Sequence, residues 1–250
     1  MSLTDEILRM AGGTAILARQ TFRETLRPPY YHRLVLIQIY QLGVCSLPLV
    51  FITALSTGMV MSLQFGLGLE KFGGKMYVPK LVSLSVVREM GPVFTCLMLA
   101  ARVCAGIASE LGSMTVTQQI DAIRALGTSP IKRIILPRVL ACLISVPVLV
   151  AIANSVGILG GLIVGTRELM LDPQFYLEKV FYTVTVDDYL SGLGKTPFFA
   201  LLISLVPSYY GLHVRGGTQG VGNATTKAVV ATSILILVGD YVLTKLFWMF

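Results

Sequence analysis

The sequence predicts an all-α polytopic membrane protein, and three observations predict it. The 250 residues are 54% hydrophobic and only 13% charged, whereas a soluble domain carries about a quarter charged residues. Charge-free runs extend from Leu34 to Leu69 and from Val139 to Thr166, and about 20 apolar residues suffice to cross a bilayer as a helix. The basic residues, which give a net charge of +7, are scattered between apolar runs. That pattern suits anionic lipid headgroups and not a nucleic-acid surface.

Residues 1–33 predict an N-terminal amphipathic helix lying in the membrane interface. Leu8, Ala11, Ala15, Ala18, Phe22 and Leu26 recur at helical spacing, Arg19, Arg23 and Arg27 form a second stripe, and Pro28 and Pro29 end the pattern. Residues 34–250 then predict a five-span membrane domain, with spans near 44–67, 80–110, 139–166, 194–213 and 227–248. A Gly-rich turn, "EKFGGKMYVP", separates the first two spans. In the third, Gly157, Gly161 and Gly165 stand four residues apart, a small-residue stripe that lets a helix approach closely, from this chain or a second copy.

Five spans put the termini on opposite sides. The N-terminal helix and the 112–138 and 214–227 loops hold 11 Lys and Arg residues, against six in the 70–80 and 167–195 loops. The 167–195 loop is also rich in acids. The positive-inside rule therefore places the N-terminus in the cytoplasm and the C-terminus on the opposite side, which in a bacterial inner membrane, the setting that the resemblance given below implies, is the periplasm. No basic segment followed by an apolar core and cleavage site marks a signal peptide.

Within the second span, "VVREMGPVF" holds Arg88, Glu89 and Pro92. A charge at mid-span costs about 2.5–3.5 kcal/mol even on lenient insertion scales. Adjacent residues point about 100° apart on a helix, so Arg88 and Glu89 each need a separate partner, a polar cavity or a ligand headgroup. Pro92 frees a carbonyl one turn earlier, near Arg88. Arg102 and Glu110 share a helical face, and Asp240 in the fifth span calls for an interhelical partner. "GLGKT" at 192–196 resembles part of a phosphate-binding loop, but the first glycine that motif requires is Tyr189.

The four cysteines (Cys45, Cys96, Cys104, Cys142) lie in apolar segments and read as free, buried thiols. His32 and His213 stand far apart. Nothing here calls for a metal or cofactor, and no nucleophile–base set is visible. In the 112–138 loop, Ile120, Ile123 and Leu126 form a short apolar stripe flanked by Asp121 and Arg124, with Gly127 as a helix stop. Such a helix suits docking into a soluble partner, or a connector lying on the bilayer.

The stretch 101–137, "ARVCAGIASELGSMTVTQQIDAIRALGTSPIKRIILP", resembles the signature of the MlaE/YrbE-type permeases. "QIYQLGV" (38–44), "VREMGPV" (87–93) and "GDYVLTKLF" (239–247) resemble further segments of that family, in order. The resemblance implies a homodimeric permease subunit of a lipid ABC transporter in a bacterial inner membrane. ATP hydrolysis would reside in separate cytoplasmic ATPase subunits, and a periplasmic MCE-domain protein would exchange phospholipid with the permease, serving outer-membrane lipid homeostasis. It further implies that residues 113–127 form a coupling helix, with Gln118, Gln119, Ile120, Asp121, Ile123, Arg124 and Leu126 meeting the ATPase. Gln118 stands where the family often has glutamate. Arg88 and Glu89 would form a polar site in the lipid cavity, and Leu63, Phe65 and Leu67 are candidates for its acyl-facing wall. Two other readings compete: an ion-coupled carrier using Glu89, Arg102 and Asp240, and a non-transporting scaffold.

Overall fold

The computed structural model describes residues 3–26, 28 and 31–249, so Arg27 and Pro29 of the N-terminal pattern lie outside the described residues. Among the described residues the regular structure is helical throughout. Helix α1 is Leu3–Thr25, α2 His32–Glu70, α3 Lys75–Val116, α4 Gln119–Ala125 and α5 Ile131–Arg167. There follow α6 Pro173–Thr183, α7 Val186–Leu212 and α8 Gly217–Met249. Helices α2, α3, α5, α7 and α8 are each long and apolar enough to cross a membrane. The protein is an all-α polytopic membrane protein.

The helices overrun the segments that the apolar pattern marks. Helix α7 begins eight residues before the expected 194, because Thr185 caps it and Asp188 returns the bond. Asp187, Asp188 and Lys195, which the sequence reading assigns to a loop, are therefore residues of the α7 segment. The predicted coupling helix 113–127 is divided. Residues 113–116 finish α3, Gln118 takes a left-handed φ of 56°, and α4 starts afresh at Gln119. Gly127, at φ 72°, ends it as expected.

The chain contacts define two compact units. The first comprises Met1–Cys45, Leu99–Ser145 and Phe198–Val238. In it Leu17 of α1 packs with Ile135, Val139 and Leu205. The buried face of α1 carries Leu17 and Thr21, and at Gly13 an added Cβ would lie 2.1 Å from the Tyr209 ring. The predicted apolar stripe is a different face: Leu8, Phe22 and Leu26 are about 70% exposed. Helix α1 thus offers one side to protein and leaves an apolar side open. Lys132 Nζ donates to Pro28 O at 2.7 Å. Cys45 is exposed, unlike Cys104 and Cys142, because it sits on an outward face of its helix.

The second unit comprises Ser46–Met98, Val146–Pro197 and Gly239–Phe250. Here the glycine stripe of α5 meets a stripe of its own kind, since Gly58, Ser62 and Gly66 of α2 are buried at the same four-residue spacing. A Cβ on Gly58 would lie 1.8 Å from Gly157 O, and one on Gly160 would lie 2.3 Å from Leu55 O. The close approach left open by the sequence is therefore made within the chain. Tyr176 of α6 covers the remainder: its phenol would meet a Cβ at Gly161 at 2.6 Å and its ring one at Gly165 at 2.7 Å. Burial pushes the Tyr176 phenol up to about 12.

Prolines within the spans recur with one device. Proline cannot return the i→i−4 hydrogen bond, so a carbonyl one turn earlier is left open. In the second unit Pro92 leaves Arg88 O to Lys195 Nζ at 3.2 Å, and Pro197 leaves Leu193 O to Thr196 Oγ1 at 2.7 Å. In the first, Pro207 leaves Ile203 O to Cys104 Sγ at 3.3 Å.

A methyl group added at Gly58 should lower stability by about 1–3 kcal/mol, because the obstructing atom is backbone and cannot rotate away. Gly68→Ala, with open space around it, should be neutral or mildly stabilising. Thermal unfolding in detergent distinguishes the two, and equal melting temperatures would refute the close α2–α5 contact.

Candidate functional site

The second unit contains a knot of ionised side chains inside apolar helices. Its centre is Lys195, whose side chain is 1% exposed. The ammonium has three hydrogens and four oxygens around it: Glu89 Oε2 at 2.7 Å, Thr244 Oγ1 at 2.6 Å, Asp240 Oδ1 at 3.1 Å and Arg88 O at 3.2 Å. Thr244 Oγ1 passes its own hydrogen to Glu89, at 3.2 Å and 3.3 Å from the two carboxylate oxygens. One side chain thereby ties α3, α7 and α8 together. It also uses the carbonyl that Pro92 releases.

Arg88 takes a different partner, as its direction on the helix demands. Its Nε donates to Asp188 Oδ1 at 2.6 Å, and its Nη2 donates to the same oxygen. The other oxygen, Oδ2, accepts from Thr185 N at 2.9 Å and Thr185 Oγ1 at 2.8 Å. Asp188 thus serves as helix cap and as ion-pair partner at once. The two halves of the pair differ in access: Asp188 is 5% exposed and Arg88 53%. The approach of the segments depends on Gly192, where a Cβ would lie 2.2 Å from Val87 O.

Two basic and three acidic side chains make up this network. Closed pairs of this kind hold geometry, because separating either partner leaves a charge in a medium that solvates it poorly. Arg88, whose side chain is half exposed, is the one cation of the network that is not enclosed.

The sequence names Arg88, Glu89 and Asp240 as needing partners, and the structure brings all three into this network. Sequence reasoning missed Lys195, set aside as part of "GLGKT", and Asp188, counted among loop acids. The capping pattern Thr185–Val186–Asp187–Asp188 could have found the second of these. Leu63 and Leu67, one turn apart on α2, are both exposed. Phe65 does not share their face, and packs instead against Val78, Val82, Val86 and Leu169.

In the first unit, the residues predicted to meet an ATPase cluster around α4. Ile120 is 4% exposed and Leu126 77%, while Ile123 is half-buried. Ile120 therefore packs inside its own chain, and of the predicted apolar stripe only Ile123 and Leu126 stay accessible. Gln118, Gln119, Asp121 and Arg124 are all exposed. Arg124 Nη1 lies 3.1 Å from Asp121 Oδ1. Glu110 pairs with buried Arg138 at 2.7 Å.

Five apolar crossings with ion pairs fixed among them define a multi-pass membrane protein with a charged interior. The family model described as Permease MlaE matches residues 35–246, and the chain belongs to that permease family. A "Probable ABC transporter permease protein" of Rickettsia felis is 39% identical over 245 residues, covering 98% of this chain and 95% of the relative. One of the same description from Synechocystis is 33% identical, covering 92% and 88%. The "Intermembrane phospholipid transport system permease protein MlaE" of Haemophilus influenzae is 33% identical over 214 residues, covering 85% and 82%.

Replacing Lys195 with methionine should destabilise the protein by about 3–5 kcal/mol, since Glu89 and Asp240 lose their common cation. Adding Glu89→Gln and Asp240→Asn to that variant should restore part of the loss. Unfolding midpoints in detergent provide the check, and a single variant as stable as the parent would contradict the knot.

Proposed function

We infer that this chain is the permease subunit of an ATP-driven phospholipid transporter in a bacterial inner membrane. It acts as a homodimer, with ATP hydrolysed in cytoplasmic ATPase subunits and lipid exchanged with a periplasmic MCE-domain protein. That exchange serves lipid homeostasis of the outer membrane. The N-terminus lies in the cytoplasm and the C-terminus in the periplasm, in keeping with the distribution of Lys and Arg.

The observation that carries this reading is the partly open Arg88 within a network that is otherwise closed. An arginine held by a buried carboxylate and still 53% exposed keeps a fixed direction and retains room for a second anion. A phosphate is the anion that a guanidinium fits best. The phospholipid named in the Haemophilus relative's description supplies that group. Leu63 and Leu67 supply an exposed apolar stripe for acyl chains, and Phe65 supports the helix behind them. Glu89, locked to Lys195 at 2.7 Å, orients the site and is less suited to relay ions.

Helix α4 is the coupling element of this reading. Ile120 anchors it, and Ile123, Leu126, Gln118, Gln119, Asp121 and Arg124 meet the ATPase. Glycines 157, 161 and 165 serve packing within the chain. Transport requires that the conformations of the nucleotide cycle bind lipid unequally, so movement transmitted through α4 must change the cavity of the dimer.

Changing Ile123 and Leu126 together to aspartate should lower ATPase co-purification and stimulated ATP hydrolysis by about tenfold, as loss of an apolar anchor does at other interfaces. Membrane insertion and thermal stability should persist, because neither side chain is fully buried. Unchanged stimulated hydrolysis would count against α4 as the coupling element.

A further inference from the structure

We propose that the cavity beside Arg88 binds the phosphodiester headgroup of an anionic glycerophospholipid, with Lys80 and Lys179 selecting its net charge. The proposal rests on the phospholipid reading above and deepens it by naming the headgroup class. The cavity has a volume of about 570 Å³ and lies wholly within the second unit. One wall is α3, where Lys80, Leu84 and Arg88 follow one another at four-residue spacing; the other is α6, where Phe175, Lys179 and Thr183 do the same.

Charge decides the ligand class. Three cations face this space and one carboxylate, Asp188, does so with them. That carboxylate is already engaged by Arg88 on one oxygen and by Thr185 on the other. Among the described residues neither Lys80 nor Lys179 meets a carboxylate within ion-pair distance. Lys179 Nζ stands 5.4 Å from the centroid of the Phe175 ring, a contact that steadies an ammonium without neutralising it. The lining therefore carries two positive charges in excess, which favours an anionic headgroup over a zwitterionic one.

The rim decides between a lipid and an acidic protein segment. Tyr77 is 65% and Tyr182 86% exposed, and the neighbouring Met76 and Phe181 are 62% and 80% exposed. Helix α6 has 11 residues, too few to cross a bilayer. Exposed tyrosines beside bare apolar side chains are what the headgroup level of a membrane selects. A phospholipid satisfies both parts together, its phosphate toward the lysines and its glycerol and acyl portion along Met76 and Leu84. An acidic peptide would leave the apolar rim uncovered.

The test is native mass spectrometry of the purified full chain in detergent with equal amounts of palmitoyl-oleoyl phosphatidylglycerol and phosphatidylcholine. The wild type should retain phosphatidylglycerol preferentially. Lys80→Ala/Lys179→Ala should bind it about tenfold more weakly and lose the preference, whereas Lys80→Arg/Lys179→Arg should keep it. Both lysines are exposed, so the fold should survive, and Arg88 is left in place to keep Asp188 paired. Equal binding by wild type and alanine variant would overturn the proposal. So would displacement of the lipid by millimolar inorganic phosphate, which would mark a free-anion site, or by lower concentrations of a polyglutamate peptide, which would mark a protein partner. The binding is read without ATPase. Failure of ATP-driven transport would thus strike the functional reading alone, and absence of headgroup selection would strike this site alone.

Discussion

The second unit depends on one buried ammonium. Lys195 lies almost wholly out of solvent, where an isolated charge costs several kcal/mol. It is tolerated because two carboxylates, a threonine hydroxyl and a backbone carbonyl converge on it. These come from α3 and α8, so the position of three membrane helices is fixed by the demand of a single side chain. Hydrophobic association contributes little to packing between helices in lipid. A polar knot and close glycine contacts supply what a water-soluble core would obtain from burial.

Proline and glycine do the complementary work. Pro92 opens a carbonyl that joins the oxygens around Lys195. Gly192 removes the methyl group that would keep α7 from Val87 O, and Gly58 does the same between α2 and α5. The consequence reaches the candidate site directly. With Glu89 taken by Lys195 and Asp188 fixed by its own cap, Arg88 is aimed by two independent constraints while its side chain stays half exposed. Under the proposed function, a lipid phosphate meeting it would find a charge already oriented, which spares the entropy of arranging a flexible side chain.

Much of the fold was legible because membrane helices announce themselves by length and apolarity. The five crossings follow from the long apolar segments, two of them free of charge, and the need of Arg88, Glu89 and Asp240 for partners follows from the cost of charge in lipid. What escaped was identity of partner. Lys195 stands in a stretch that mimics a phosphate-binding loop and Asp188 in an acid-rich one, so local composition hid the long-range pairings with Glu89, Asp240 and Arg88. Face assignment failed for a related reason. On α2 and α4 apolar residues occur on several sides, so periodicity could not tell that Phe65 and Ile120 turn inward while Leu67 and Leu126 turn outward. On α1 it marked the open apolar face and missed the one marked by Gly13, Leu17 and Thr21, two of which have no apolar side chain to reveal them.

The central claim is that ATP hydrolysis elsewhere in the assembly drives phospholipid past the open side of Arg88 and the Leu63–Leu67 stripe. Photo-crosslinking from position 63 or 88, in membranes containing the ATPase, tests it most directly when the captured molecules are identified by mass spectrometry. The account predicts a phospholipid adduct at both positions that diminishes when the ATPase is made unable to hydrolyse ATP. Capture of protein alone at both positions, or lipid capture indifferent to hydrolysis, would contradict it.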